Sequence, residues 1–256
     1  MRLVRYTYKN EPAQNGWLYE DRIGPVEGSI FAEFSRQEAI IPLEEVKLLA
    51  PVLPGKIICV GRNYVAHAKE HGSDVPEYPL IFLKPPSSLT GPGCTVYLPP
   101  QSAQIEHEAE LVAVIGRRGR WIQPKDAMNY VLGYTIGNDV TARDLQRRDG
   151  QWTRSKGFDT FCPLGPWIDT SFDPSDAMIT CHVNGEMRQM ASTRDMVFRV
   201  DNLIAFTSSF MTLEPGDVIF TGTPAGVSPL SPGDILETAI EGLGKLTNPI
   251  AAEPAR

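Results

Sequence analysis

The segment Glu106-His107-Glu108-Ala109-Glu110-Leu111-Val112-Ala113-Val114-Ile115 constrains this chain more than any other. Its alternation predicts a strand, with successive side chains on opposite faces. One face carries Glu106, Glu108 and Glu110, and the other His107, Ala109 and Leu111. Three carboxylates in a row repel one another and make a poor core, so this face is either a solvated edge or is covered by something positive. Residues two apart on a strand lie roughly 7 Å apart at Cα, near enough for two glutamates to converge on one ion. An all-carboxylate donor set suits a hard divalent cation: Mg²⁺, Mn²⁺ or Ca²⁺. On pattern alone both readings stay open.

The rest of the chain narrows the setting. Its 256 residues suffice for one large domain, or one with a small appendage. A net charge of -7 without any Lys/Arg run excludes nucleic acid as an expected partner. An acidic protein that takes an anionic substrate must concentrate positive charge locally, which makes individual Arg and Lys residues worth locating. Met1–Tyr6 contains no long apolar stretch, and the longest apolar runs are about five residues, so no membrane span is expected. Cys59, Cys94, Cys162 and Cys181 are widely spaced with no C-x-x-C, which favours free thiols and a cytoplasmic location.

Turn signals divide the chain into many short strands. Leu3–Tyr8 and Ile30–Phe34 read as strands of a small N-terminal domain over residues 1–50, and Pro51 and Pro54-Gly55 mark its boundary with a larger domain over 51–256. Ile57–Val60, Leu80–Leu83, Leu111–Ile115, Leu132–Gly137 and Val218–Phe220 follow as strands. Ile179–Val183 followed by Asn184-Gly185 signals a tight hairpin. Helices are expected at Val65–His71, Thr141–Arg148 and Val200–Met211. Strands outnumber helices without regular alternation, which disfavours a repeated βαβ fold.

Several constellations could carry chemistry. His67 and Glu70, three apart on a predicted helix, share a face; the carboxylate would fix the imidazole tautomer and let the pair activate a water, or the two form an ordinary exposed pair. Asp139 follows a strand and is either a third carboxylate for the ion or a helix N-cap. Arg143 is a bidentate clamp for a substrate carboxylate or a surface ion pair. Lys84 and Lys156 are the lysines that could supply local positive charge. Gly222 and Gly226 flank a turn, Thr221–Val227, able to offer backbone N–H groups to an anion. His107 points away from the glutamates and reads as a support behind the ligands or as packing, not as a ligand.

Taken in order, these segments resemble the fumarylacetoacetate hydrolase superfamily over roughly residues 50–250: Gly61-Arg62-Asn63-Tyr64 with His67 and Glu70, then Phe82-Leu83-Lys84-Pro85, Glu106–Leu111, Gly133-Tyr134, Asn138–Asp144, Gln151–Phe158 and Thr221–Val227. The resemblance implies a mixed, β-rich α+β fold, a β-roll of the superfamily's C-terminal-domain type behind a small N-terminal lead-in domain. It implies a divalent metal, usually Mg²⁺, held by Glu108, Glu110 and Asp139, with Glu106 left unassigned. His67 and Glu70 match the water-activating dyad, on a segment that acts as a lid, and Lys156 joins them as a catalytic group. Arg62, Tyr64, Arg143, Gln146 and Thr223 match substrate-binding positions. A homodimer is expected.

The implied substrate is a small 2-oxo acid that chelates the metal. Cleaving the bond beyond C3 leaves a pyruvate enolate, whose charge the metal stabilises as a Lewis acid. Acylpyruvate hydrolysis, oxaloacetate decarboxylation and isomerisation of 2-hydroxyhepta-2,4-diene-1,7-dioate (or 5-carboxymethyl-2-hydroxymuconate) share that core, so fold and metal cannot choose among them. The dyad ranks cleavage first and isomerisation second. The alternative of another class is a metal-binding protein without catalysis.

Overall fold

The computed structural model describes residues 1–9 and 11–254, so the last two residues of the expected larger domain lie outside the described residues. Among the described residues the largest sheet has thirteen strands. Its path runs through Phe34–Arg36, Arg22–Gly28, Gln14–Tyr19 and Arg2–Tyr8 into Cys162–Asp169, Val131–Asn138, Ala109–Ile115, Val218–Phe220, Ile57–Gly61 and Leu80–Lys84. Arg2–Tyr8 pairs with Cys162–Asp169, so hydrogen bonding continues from the N-terminal strands into the rest of the chain. A second sheet of five strands orders Val96–Leu98, Gly244–Ala252, Ile235–Ile240, Met178–Val183 and Glu186–Ser192. The helices are few: α1 (Val65–Glu70), α2 (Arg143–Asp149), α3 (Thr153–Lys156) and α4 (Val200–Phe210). This is the mixed, β-rich architecture expected from the sequence.

The central strands are covered on both faces. Leu111, Ala113 and Ile115 enter one apolar cluster, which also takes in Leu203 and Ile204 of α4. Val112 and Val114 enter another with Ile57, Cys59, Val218 and Phe220. A strand buried on both sides reads as a continuous apolar run, which Leu111–Ile115 is. The glutamates that precede it therefore lie at the end of a dry sheet and not along a solvated edge.

The expected strand over 106–115 is interrupted. Ile105–Glu106 pairs with Thr141–Ala142, whereas the ladder resumes at Ala109–Ile115 against Val131–Asn138 and Val218–Phe220. Between them Glu108 N–H donates to the Asn138 side-chain Oδ1 at 2.9 Å, and Asp139 N–H donates to Glu108 C=O at 2.8 Å. Backbone groups released from the ladder are thus satisfied locally. The exchange brings Glu108 and Asp139 side by side.

A second departure lies in the N-terminal region. Ile30–Phe34 is not a strand: residues 30–32 form a turn, and strand geometry starts only at Phe34. Gly28 at φ 99° and the Ala32 N–H to Ser29 C=O hydrogen bond of 2.9 Å reverse the chain there. The apolar run is still used, because Ile30 is buried and Phe31 packs beside it. The predicted hairpin holds: Asn184 and Gly185 both have positive φ, 54° and 79°, as its tight turn requires.

Candidate active site

The residues predicted from sequence converge at the C-terminal ends of Ile57–Gly61 and Val218–Phe220 and at the N-terminal end of Ala109–Ile115. Glu108, Glu110 and Asp139 are all buried, and each offers a carboxylate oxygen within 4.8 Å of the others. Lys156 Nζ, on α3, donates to Glu108 Oε2 and Asp139 Oδ2, both at 2.7 Å. Lys84 Nζ contacts Asp139 Oδ1 directly and donates to Val140 C=O at 3.2 Å. Asp139 is therefore not a helix cap; α2 has no side-chain cap, and Ala142 stands at its N-cap position.

Arg143 lines the cavity, where its guanidinium is engaged by the protein: Nε donates to Glu106 Oε2 at 2.7 Å, Nη2 contacts Glu108 Oε1, and Nη1 donates to Gln146 Oε1 at 2.7 Å. This also gives Glu106 its role as one arm of Arg143's support, with Gln104 Nε2 on its other oxygen at 2.6 Å. Lys84, at the end of the edge strand Leu80–Lys84, is 2 % exposed and supplies positive charge to the floor, as Lys156 does.

Glu110 differs from its neighbours. Its one hydrogen bond comes from Gly222 N–H, to Oε2 at 2.6 Å, and among the described residues no base forms an ion pair with it. Burial, and then the negative charges of Asp139 and Glu108, push its carboxyl well above the usual range. Burial works the same way on Glu108, but Lys156 and Arg143 outweigh it and hold Glu108 low. Four buried acids (Glu106, Glu108, Glu110, Asp139) thus face three buried bases (Lys84, Arg143, Lys156), and Glu110 is the acid left over. A converging all-oxygen set with one uncompensated acid fits a hard divalent cation.

Above this floor opens a cavity of about 410 Å³. Arg62, His67, Glu70, Arg143, Gln146, Lys156 and Thr223 line it, as does Glu108. His67 and Glu70 pair as predicted, Nδ1 to Oε2 at 3.3 Å, and Gly226 N–H donates to Glu70 Oε1 at 3.1 Å. Burial lowers the His67 pKa, opposed by Glu108. Arg62 has φ 58° and forms no ion pair among the described residues. Tyr64 is a correction: it is 2 % exposed, packs in the main apolar cluster, and does not line the cavity. Its backbone bridges to Met196, which turns the ring into the core. Thr223 lines the cavity, but its hydroxyl is already engaged, donating to Ala109 C=O at 3.0 Å and accepting from Gln189 Nε2 at 2.7 Å.

Gln189 is a part of this framework that the sequence does not single out, and His107 supports it from behind the ligands. Gln189 Oε1 accepts from Ala109 N–H at 3.1 Å and lies 3.0 Å from His107 Nδ1, so it ties the carboxylate strand to the Thr223 turn. Two glycines are needed here. Gly222 sits at φ 95°, and a Cβ there would lie 2.8 Å from Asn63 Cβ, which keeps this turn close enough for its N–H to reach Glu110. At Gly61 a Cβ would meet the Trp152 ring at 2.8 Å. Trp152 in turn packs edge-on against Phe82, whose ring lies 5.0 Å from Lys156 Nζ.

A β-rich fold whose central strand ends in buried acids, roofed by a polar cavity with an acid–base pair, defines a small-molecule site able to hold a cation and an anion together. The chain belongs to the fumarylacetoacetate hydrolase family: residues 56–251 match "Fumarylacetoacetate (FAA) hydrolase C-terminal", and residues 1–51 match "Rv2993c-like, N-terminal". It is 49 % identical over 212 residues to Protein Rv2993c of Mycobacterium tuberculosis, covering 82 % of this chain and 80 % of that protein. It is 48 % identical over 227 residues to the human mitochondrial oxaloacetate tautomerase FAHD2B, covering 84 % of this chain and 72 % of that protein. Among solved structures, the 5-carboxymethyl-2-hydroxymuconate delta-isomerase of Mycobacterium smegmatis superposes with a TM-score of 0.93 at 43 % identity, covering 99 % of this chain and 100 % of that one. The family is generally dependent on a divalent metal, consistent with the buried acidic cluster. No helix among the described residues is long and apolar enough to cross a membrane.

Proposed function

We propose that this protein is a divalent-metal-dependent enzyme that moves a proton between oxygen and carbon of a small 2-oxo dicarboxylate, with the enol–keto interconversion of oxaloacetate as its leading reaction. The observation that carries this reading is the His67–Glu70 pair in the same cavity as Glu108 and Lys156. Removing a proton from C3 of a 2-oxo acid leaves an enolate with charge on the C2 oxygen. A divalent ion held by Glu108, Glu110 and Asp139 would supply Lewis-acid stabilisation of that charge.

His67 acts as the base. Its Nδ1 faces Glu70, so Nε2 is the atom left to take and return the proton. The lowered pKa keeps the imidazole neutral near pH 7, the form a base requires. Glu70, held by Gly226 N–H, fixes the ring and its tautomer. Arg143, Lys84 and Lys156 hold the acids of the floor in place. Arg62, free of an acidic partner, is placed to meet the second carboxylate of the substrate.

The sequence reading ranks cleavage first. The similarity to relatives named for tautomerisation and isomerisation, both proton shifts, supports placing a proton shift ahead of cleavage here. Acylpyruvate hydrolysis and oxaloacetate decarboxylation remain the second reading, because the same pair can activate a water. The test is to assay purified protein with Mg²⁺ on the enol of oxaloacetate, acetylpyruvate, fumarylpyruvate and a 2-hydroxy-dienedioate. Enol loss far faster than pyruvate release supports tautomerisation. Pyruvate release at a comparable rate moves the assignment to cleavage, and turnover of none of them leaves a metal-binding protein without catalysis.

A further inference from the structure

Helix α1 and the residue that caps its C-terminus present His67, Glu70 and His71 together, the spacing His-x-x-Glu-His. Residues three and four apart on a helix are neighbours, so both imidazoles and the carboxylate point to one place. The His67 and His71 rings stand edge to face with centroids 4.7 Å apart. One ligand atom from each of the three residues lies within 4.8 Å of the others. All three side chains open onto the cavity, where Ser73 stands beside them.

Two distances bear on what this cluster could hold. His67 Nδ1 and Glu70 Oε2 are 3.3 Å apart, beyond the common range for a nitrogen–oxygen hydrogen bond. Two ligand atoms on one tetrahedral zinc, with bonds of about 2.0–2.1 Å, stand roughly 3.3 Å from each other. The gap therefore needs little change to take an ion. Gly226 N–H reaches both Glu70 oxygens, Oε1 at 3.1 Å and Oε2 at 3.3 Å, and so holds the carboxylate beside the rings. Three protein donors with the open cavity on the fourth side make a site of the catalytic-zinc type.

We propose that His67, Glu70 and His71 form a second metal site, selective for borderline transition ions such as Zn²⁺, distinct from the carboxylate floor. Donor chemistry separates the two. Imidazole favours zinc, copper and nickel, whereas an all-carboxylate set favours magnesium and manganese. Both sites fill at once, because they share no ligand. Zinc between His67 Nδ1 and Glu70 takes the carboxylate that fixes the tautomer of the proposed base and draws electron density from the ring, so it inhibits an enzyme already loaded with magnesium. The binding claim stands on the geometry alone; only its inhibitory consequence rests on the proposed function.

The experiment titrates Zn²⁺ into protein held in excess Mg²⁺, with binding followed by calorimetry and turnover of enol-oxaloacetate followed in parallel. His71→Gln is the informative variant, because His71 lies at the outer end of the cluster and has no part in the proposed chemistry. The expected result is one zinc site in the wild type, weakened at least tenfold in His71→Gln, with Mg²⁺ affinity unchanged and zinc inhibition relieved by the same factor. Glu110→Gln should keep the zinc site while losing magnesium. Zinc binding that is indifferent to His71→Gln, or that disappears in Glu110→Gln, would place the ion on the floor and overturn the proposal. If the wild type turns over none of the 2-oxo acids, the proposed function fails while the calorimetry still decides the site.

Discussion

Glu110→Gln separates the roles of the floor acids more sharply than any other single change. Among the described residues Glu110 has no base against it, and burial raises its pKa, which favours its protonated form when no metal is bound. Glutamine is close in shape to that neutral acid and can still accept the Gly222 N–H. Metal-free stability should therefore change by less than about 0.5 kcal/mol, the range of a substitution that disturbs no special feature. Glu108→Gln is the contrast. It removes one charge shared by Arg143 and Lys156, and breaking a buried pair costs about 3–5 kcal/mol.

Metal reverses the ranking of Glu110→Gln. At a Mg²⁺ concentration of about 100 times Kd the wild type gains about 2.7 kcal/mol. For a chain of this size that is a rise in Tm of about 5–10 °C. The variant should lose this rise. The linkage sign follows from the raised pKa: the folded state keeps the Glu110 proton longer than the unfolded chain, so metal-free wild type loses stability as pH rises from about 4.5 through the folded pKa. Glu110→Gln removes that loss. Thermal melts with EDTA and with Mg²⁺, over a pH series, measure all of this. A metal-free variant destabilised as much as Glu108→Gln, or one that keeps the full Mg²⁺ rise, would refute the assignment of Glu110 as the uncompensated ligand.

Other outcomes follow from the same geometry. His67→Ala should lower kcat about a hundredfold or more while oxalate affinity, set by the floor, changes little; steady-state kinetics with oxalate inhibition reads both. Because burial lowers the His67 pKa, the acid limb of kcat/KM should fall below about pH 6.5, the ordinary imidazole value, and a limb above it would contradict the neutral-base role. Lys84→Met strips Asp139 of a buried partner and should cost about 3–5 kcal/mol in urea unfolding. Hydrogen exchange over residues 65–76 should slow when oxalate and Mg²⁺ are added together, as expected of a lid.

Legibility from the sequence tracked how local the determinants are. Leu111–Ile115, Ile57–Val60 and the Asn184-Gly185 hairpin were readable because an apolar run and a turn dipeptide act over a few residues. Ile30–Phe34 misled because an apolar run does not distinguish a strand from a turn that buries its side chains. The carboxylates of the floor were visible as a repulsion that needed an answer. The answer itself was not: Lys84 lies 55 residues from Asp139, and Lys156 lies 48 from Glu108, so their pairing is a property of sheet topology. Arg143 shows the same limit. Its neighbours in sequence give it a helix, but only the fold shows that Glu106 and Glu108 have already taken its guanidinium.

That engagement sets the order of binding. Lys84, Arg143 and Lys156 each contact at least one buried acid, so the floor has no positive charge free for an anion. Among the described residues Arg62 stands in the cavity without an acidic partner, but one half-buried guanidinium is a weak anchor for a dianion. On the proposed reading a divalent ion turns the excess of one acid into an excess of one positive charge, and only then does a 2-oxo dicarboxylate meet a complementary floor. Oxalate should therefore bind EDTA-treated protein at least tenfold more weakly than Mg²⁺-loaded protein, a difference of about 1.4 kcal/mol or more. Reciprocity requires oxalate to tighten Mg²⁺ binding by the same factor. Glu110→Gln should abolish the coupling in both directions, whereas Arg62→Ala should weaken oxalate in both states and leave the coupling intact. Calorimetric titrations of each ligand with and without the other close this cycle, and equal oxalate affinity in EDTA and in Mg²⁺ would show that the floor does not need the metal to receive an anion.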